Sequence, residues 1–144
     1  MQQRISVLTI GANDLIAMRS FYENTLGWKT VAGNADIVFY QLNGFLLSLA
    51  KKHDLSEFIG TSLAERGPIT VGYNVDTVDE VKALYEELRA KGVQLLKEPT
   101  EPPFGGLFFY FQDVEGNVLE IACNPYISLD QIKNAVGHKP IDDL

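Results

Sequence analysis

The segment GGLFFYFQDVEGNVLEIAC, residues 105–123, decides the fold. Two runs of aromatic and aliphatic residues, 107–112 and 118–123, flank the turn sequence DVEGN at 113–117. Gly and Asn readily take the positive φ of a tight reversal, so the pattern predicts a β-hairpin. Glu120 lies in the second strand. Its carboxylate either points to solvent or points into a cavity, where its burial costs free energy unless the function of the protein requires it.

The bulk properties restrict the class of protein. The chain has 144 residues, of which 46% are hydrophobic, and a formal net charge of −7. Its length suits one domain with a sizeable core, while its charge repels nucleic acid and anionic lipid. Apolar runs are too short to span a bilayer or to form a convincing signal peptide, and the single Cys123 excludes an internal disulfide. We expect a cytoplasmic protein that binds neither nucleic acid nor membranes.

Residues 5–50 predict one strand, one helix and three further strands. The helix begins after the N-cap residue Asp14 and ends at Gly27, with apolar residues at helical spacing between them. The predicted strands are 5–10, 28–31, 37–41 and 45–50. A polar linker, 51–68, follows, with a short helical turn at 55–58.

Residues 69–123 predict the same order again. Thr77 and Glu80 form a capping box, and Gly92 ends the helix that they begin. The predicted strands are 69–75, 93–96 and the two strands of the hairpin.

An internal repeat relates these two stretches. The two cap residues, Asp14 and Thr77, are 63 positions apart, and Phe21-Tyr22 and Leu84-Tyr85 show the same offset. Such a repeat indicates duplication of one module. We predict an α+β fold of two tandem βαβββ modules that form a curved sheet around a cavity. A single domain would span 1–124, followed over 125–144 by a C-terminal helix, 128–136, and a tail.

The segments ISVLTIGANDL, SFYENTLGW and FQDVEGNVLEI resemble the vicinal oxygen chelate superfamily. This superfamily includes glyoxalase I, bleomycin-resistance proteins and extradiol dioxygenases. The resemblance implies a divalent metal held by four side chains, and those positions fall on Val7, Ser48, Thr70 and Glu120.

Only one of these four residues ligates metal well, namely Glu120. Val7 has no donor atom, and Ser48 and Thr70 offer neutral hydroxyl groups, whereas a tight site uses three or four imidazole, carboxylate or thiolate donors. The two histidines, His53 and His138, lie outside the predicted strands. We therefore expect no metal and no other cofactor.

The cavity predicted from the alternation of the strands is apolar and aromatic, with one acid. Its predicted ligand-binding residues are Val7, Thr9, Ser48, Thr70, Tyr73, Phe109, Phe111 and Glu120. Such a lining suits a small, partly aromatic molecule held without metal, as the resemblance to bleomycin-resistance proteins also implies. The alternative is an enzyme of the lyase, isomerase or dioxygenase type that uses Glu120 as a base or metal ligand. The resemblance further implies a homodimer.

Two other features have structural interpretations. Cys123 is interpreted as a small core residue, because no histidine is placed to activate it. Gly105-Gly106 precedes a strand rather than a helix, so it is interpreted as a flexible lip over the pocket and not as a phosphate loop.

Overall fold

The computed structural model describes residue 3, residues 6–64, residue 67 and residues 69–141. The chain divides into two compact units, Met1–Gly67 and Pro68–Leu144, whose boundary falls in the predicted linker. Each unit builds its own four-stranded sheet. None of the helices formed by the described residues is long and apolar enough to cross a membrane.

The first unit confirms the predicted βαβββ order. Its elements are β1 (Val7–Ala12), α1 (Leu15–Ser20) continuing as a π-helical segment (Phe21–Thr25), β2 (Thr30–Gly33), β3 (Ile37–Gln41), β4 (Leu46–Lys51) and α2 (Lys52–Ile59). The sheet order is β1-β4-β3-β2, with β1 and β4 parallel. Ile5, the predicted start of β1, lies outside the described residues. The linker prediction missed the extent of α2, which begins directly after β4 and ends at Gly60, where φ is 81°.

The second unit repeats the order and adds a small hairpin. Its elements are β5 (Thr70–Asn74), α3 (Val78–Ala90), β6 (Gln94–Thr100), β7 (Leu107–Gln112), β8 (Val118–Cys123), β9 (Ile127–Leu129) and β10 (Ala135–His138). The sheet order is β5-β8-β7-β6, and β9 pairs with β10. Residues 65, 66 and 68 of the predicted linker and residues 142–144 of the predicted tail lie outside the described residues.

The predicted helix signals are confirmed. The Asp14 carboxylate accepts a hydrogen bond of 3.0 Å from the Ala17 amide and so caps α1. Thr77 and Glu80 form both halves of the capping box of α3. These bonds satisfy amides that have no partner within the helix, and each cap contributes about 1 kcal/mol.

Strand register confirms the internal repeat. Val7 of β1 pairs with Leu46 of β4, and Thr70 of β5 pairs with Val118 of β8. Equivalent positions in β1 and β5 are therefore 63 residues apart, whereas equivalent positions in β4 and β8 are 72 residues apart. The difference arises because the second unit has the longer helix and longer loops.

The predicted C-terminal helix, 128–136, is wrong, because this segment forms the β9–β10 hairpin. Asp130 does not begin a helix; its Oδ1 accepts the amides of Ile132 at 3.0 Å and Asn134 at 2.9 Å. Lys133 has a φ of 68°, which closes the turn. Asp130 therefore stabilises a tight loop, a role that short polar side chains commonly have.

Candidate functional site

In the second unit, strand register divides the side chains between two faces of the sheet. The Phe109 ring meets the Tyr85 ring of α3 edge-on, with 5.2 Å between centroids, so Phe109 and its cross-strand partner Ile121 face that helix. Side chains alternate along a strand. Glu120 and its partner Tyr110 therefore lie on the opposite face, which we call the Glu120 face.

Three of the predicted binding residues lie on the α3 side and not on the Glu120 face. Phe109 and Phe111 are 0% and 3% exposed and belong to the core next to α3. Tyr73 pairs with Ile121 and therefore lies on the same side. The expectation that these three residues share a face with Glu120 is wrong. Pairing across the hairpin puts Phe109 and Phe111 on the other face, and Tyr73 lies three residues after Thr70, so alternation along β5 puts those two on opposite faces.

Glu120 is half-buried and lies opposite Tyr110 in the strand pair. The pKa of the Tyr110 phenol is raised, first by burial and then by its interaction with the nearby Glu120 carboxylate and the charge of that group. The phenol therefore stays protonated at neutral pH beside a carboxylate whose lone pairs can accept hydrogen bonds from a ligand.

Gly72 leaves a gap beside this carboxylate. A Cβ atom added at Gly72 would lie 3.6 Å from Oε2 of Glu120 and 3.9 Å from Nδ2 of Asn74, so both side chains border the gap. The Oδ1 atom of Asn74 is buried and has no hydrogen-bond partner among the residues that the structure describes. The Glu120 face therefore offers one acceptor group at the gap, the carboxylate, and beside it the Asn74 amide, whose nitrogen is the atom nearest the gap. Thr70, two residues before Gly72 in β5, lies on the same face.

The first unit has a pair of hydroxyl groups at the equivalent position. The Oγ1 atom of Thr9 and the Oγ atom of Ser48 are hydrogen-bonded at 2.6 Å, and Ser48 is fully buried. In the repeat, Thr9 corresponds to Gly72 and Ser48 to Glu120. Val7, two residues before Thr9, lies on the same face and is 43% exposed. The two hydroxyl groups satisfy each other, whereas the second unit keeps a charge beside a gap.

The four positions that the resemblance assigns to a metal do not fit one. Val7 has a hydrocarbon side chain, Ser48 is bonded to Thr9, and Thr70 has a neutral hydroxyl, so only Glu120 is a strong donor. Among the described residues, no three His, Cys, Asp or Glu side chains converge to hold a metal ion. This donor set is too small for the sites that zinc or another transition metal occupies.

The two histidines make other contacts. His53 lies in α2, with its Nε2 atom 3.3 Å from Oε1 of Glu57. His138 lies in β10, contrary to the prediction that it is outside the strands, and its ring stacks on Tyr126 with 6.1 Å between centroids.

Cys123 is a poor nucleophile. Its Sγ atom is 3.4 Å from the Asp76 carbonyl oxygen, to which the thiol donates. The pKa of the thiol is raised, first by burial and then by the charges of Glu80 and Asp76. The thiolate is therefore disfavoured, although the residue is half-buried and does not belong to the core as predicted.

The residues that surround Glu120 were not predicted from the sequence. Tyr110 and Asn74 lie on its face, and so do Phe108 and Lys97, whose Nζ atom is 5.2 Å from the centroid of the Phe108 ring. The position of Tyr110 opposite Glu120 could have been predicted from the turn of the hairpin. Gln112 faces Val118 across the turn, so two steps along each strand place Tyr110 opposite Glu120.

Comparisons with known proteins agree with this architecture. A glyoxalase-related enzyme from Fulvimarina pelagi is 37% identical, with a TM-score of 0.87 over 95% of this chain and 99% of that chain. A glyoxalase/bleomycin resistance protein/dioxygenase from Nocardioides is 25% identical, with a TM-score of 0.75 over 85% of this chain and 83% of that chain. Both likenesses confirm the α+β fold class.

A more distant similarity concerns a longer protein. Biphenyl-2,3-diol 1,2-dioxygenase 2 of Rhodococcus globerulus is 25% identical over 126 residues, which is 81% of this chain. The match spans only 64% of the length of that relative. The family model of the Glyoxalase/Bleomycin resistance protein/Dioxygenase superfamily matches residues 4–121, and the chain therefore belongs to this superfamily.

Proposed function

We propose that this protein binds a small, partly aromatic molecule that carries N–H donors, and that it does so without metal. The ligand would occupy the gap beside Gly72 on the Glu120 face. Its donors would bond to Glu120, and its ring would contact Phe108. The biological role would then be sequestration or resistance and not turnover.

The observation that carries this proposal is the Glu120 carboxylate at the border of the gap beside Gly72. Its negative charge strengthens a bond to a cationic donor. The Asn74 side chain forms another border of the gap, with its amide nitrogen as the nearest atom. A flat amine or amidine pairs with the carboxylate and stacks on an aromatic ring.

A panel of matched probes tests this chemistry. Benzamidine and 9-aminoacridine carry cationic N–H donors, whereas benzamide and acridine have similar rings without that charge. Isothermal titration calorimetry should give saturable, stoichiometric binding for at least one cation, at least about tenfold tighter than for its neutral analogue. Equal affinity for each cation and its neutral analogue would contradict the proposal.

Metal analysis tests the second half of the proposal. Because Val7, Ser48 and Thr70 supply no strong ligand, we expect no stoichiometric metal in the purified protein by elemental analysis. Added Zn²⁺, Mn²⁺, Fe²⁺ and Ni²⁺ should give no saturable rise in Tm, since specific binding to the native state would raise it. A tightly held metal that is lost in Glu120→Ala would instead restore a lyase or dioxygenase function.

Gly72→Thr should lower ligand affinity by about tenfold or more while slightly raising stability. The new side chain would fill the gap and place a hydroxyl beside Glu120, as Thr9 does beside Ser48 in the first unit. A β-branched residue also suits a strand better than glycine, by up to about 1 kcal/mol. Calorimetric titration and urea unfolding measure the two effects. Gly72→Ala, which fills less of the gap, is the control and should keep most of the affinity.

The alternative is an enzyme in which Glu120 acts as a base. Two observations favour it: the protonated Tyr110 phenol lies beside the carboxylate, and the relative from Fulvimarina pelagi is described as an enzyme. A positioned carboxylate can accept a proton from a bound substrate, while Tyr110 can donate a hydrogen bond to it. Incubation with bound candidates, followed by mass spectrometry, distinguishes the alternatives. A product formed by the native protein and absent with Glu120→Gln would establish turnover.

The assembly and location remain those expected from the sequence. We propose a cytoplasmic homodimer, the commonest symmetric assembly. Light scattering during gel filtration should give a mass of twice 16.0 kDa.

A further inference from the structure

Lys97 carries a positive charge on the Glu120 face, two strands away from Glu120. Its cross-strand partner in β7 is Tyr110, and Tyr110 in turn lies opposite Glu120 in β8. Neighbouring strands are about 4.8 Å apart, so about 10 Å separate the backbones of the two charged residues. The Tyr110 phenol therefore lies in a row between an acidic and a basic residue.

A bulge in β6 places Lys97 on this face. Leu95 lies opposite Phe111, whose side chain belongs to the core next to α3. With regular pairing, Lys97 would lie opposite Phe109 and also face α3, because residues two apart in a strand share a face. The register shifts between Leu95 and Lys97, so Lys97 lies opposite Tyr110 instead. Such bulges re-aim a side chain and are common next to active sites.

The charge of Lys97 is free to pair with a ligand. Its side chain is exposed, and its Nζ atom lies 5.2 Å from the centroid of the Phe108 ring. Among the residues that the structure describes, none forms an ion pair or a hydrogen bond with this ammonium group. A cation–π contact at an exposed site is weak, so an ion pair with a ligand can replace it. The face of the Phe108 ring then becomes accessible to the ring of that ligand.

We propose that the ligand of the Glu120 face is a zwitterion, an aromatic ring with a cationic N–H group at one end and a carboxylate at the other; this rests on the function proposed above and adds the second charge. Glu120 bonds to the cationic group, and Lys97 leaves Phe108 to pair with the carboxylate. The ring lies over Tyr110 and Phe108. Lys97 is therefore a specificity-determining residue, which selects zwitterions over simple aromatic cations.

The charge of the protein makes this selection specific to Lys97. A carboxylate on the ligand would otherwise weaken binding, because the chain has a net charge of −7 and Glu120 is nearby. Among the residues that strand pairing places on the Glu120 face, Lys97 is the one cation. A gain in affinity from a carboxylate must therefore come from this side chain.

Calorimetric titration with three amidines tests the zwitterion. Benzamidine carries the cation alone, 4-amidinobenzoate adds a carboxylate at the opposite end of the ring, and 4-amidinobenzamide adds a neutral group of similar size. The carboxylate ligand should bind at least about tenfold more tightly than the neutral amide. Equal affinities of these two ligands would overturn the zwitterion. The proposed function fails separately, if benzamidine and 9-aminoacridine bind no more tightly than their neutral analogues.

Lys97→Gln should remove the preference for the carboxylate. In this variant 4-amidinobenzoate should bind no more tightly than 4-amidinobenzamide, while the affinity for benzamidine should change by less than about threefold. Lys82→Gln is the matched control, because Lys82 is exposed in α3, on the other side of the sheet. It removes the same charge and should keep the preference. A preference that survives Lys97→Gln, or that both variants lose equally, would overturn the proposal.

Discussion

Glu120→Gln should lower the affinity for the tightest-binding aromatic cation of the panel by about 100-fold. The substitution keeps the shape of the side chain, and its amide oxygen can still accept a hydrogen bond. It removes the negative charge that pairs with the cation. Calorimetric titration measures the loss, and the affinity for the neutral analogue should change by less than about threefold, because that ligand has no charge to pair.

The control for this experiment is Glu86→Gln. Glu86 lies in α3, is exposed and pairs with Arg89, so its substitution changes the net charge equally without touching the Glu120 face. Surface ion pairs of this kind contribute about 0–1 kcal/mol to stability, and the affinity for the cation should stay within about twofold. Equal weakening in the two variants would mean that Glu120 acts only through the overall field of the protein.

Gly106→Ala should lower the free energy of unfolding by about 3 kcal/mol or more. Gly106 has a φ of 85°, and an added Cβ atom would lie 2.1 Å from the Cys123 carbonyl oxygen and 2.9 Å from Cδ of Pro125. The oxygen belongs to the backbone of β8, so it cannot move aside without shifting the strand. Urea unfolding of the variant measures the cost.

Gly105→Ala is the matched control for this clash. Gly105 has nearly the same φ, 86°, but the nearest atom to an added Cβ, Cγ of Pro125, would be 4.0 Å away. This variant should lose only about 1–2 kcal/mol, the cost of the left-handed conformation. Equal losses in both variants would mean that backbone conformation, and not contact with Cys123, makes glycine necessary at Gly106. That this pair forms a flexible lip over a pocket remains a prediction.

Much of the fold could be predicted because its signals are local. The capping box at Thr77, the cap at Asp14 and the turn at 113–117 each depend on a few neighbouring residues, and each is confirmed. Asp113 explains why the prediction of this turn was correct. It is 3% exposed, and its Oδ1 atom accepts the amides of Glu115 at 2.9 Å and Asn117 at 3.0 Å.

The C-terminal hairpin was not predicted, although its loop is of the same type as the loop at 113–117. DQIKN at 130–134 repeats the spacing of DVEGN at 113–117, with an aspartate first and an asparagine last. In both loops the fourth residue has a positive φ, Gly116 with 81° and Lys133 with 68°. Lysine seldom takes this conformation, so the usual glycine signal was absent. An ion pair between Lys133 and Asp76 accompanies the unusual conformation.

The candidate site was harder to predict than the fold. Alternation along a strand gives two possible faces, and only pairing across the hairpin selects Tyr110 over Phe109 as a neighbour of Glu120. The unpartnered oxygen of Asn74 could not be predicted from the sequence, because a buried acceptor without a partner is recognised only when the positions of the surrounding donors are known. Whether the predicted binding residues of the first unit, Val7, Thr9 and Ser48, touch a ligand remains a prediction.

The parallel pairing of the first and last strands of each sheet has a consequence for biosynthesis. Val7 must find Leu46, 39 positions later, and Thr70 must find Val118, 48 positions later. Contacts so far apart in sequence form slowly, because a long loop must close first. The first sheet takes all its strands from residues up to and including Lys51, so it can close on the ribosome while the second unit is still being translated. A ribosome stalled after the first unit has emerged should therefore already carry a folded β1–β4 sheet.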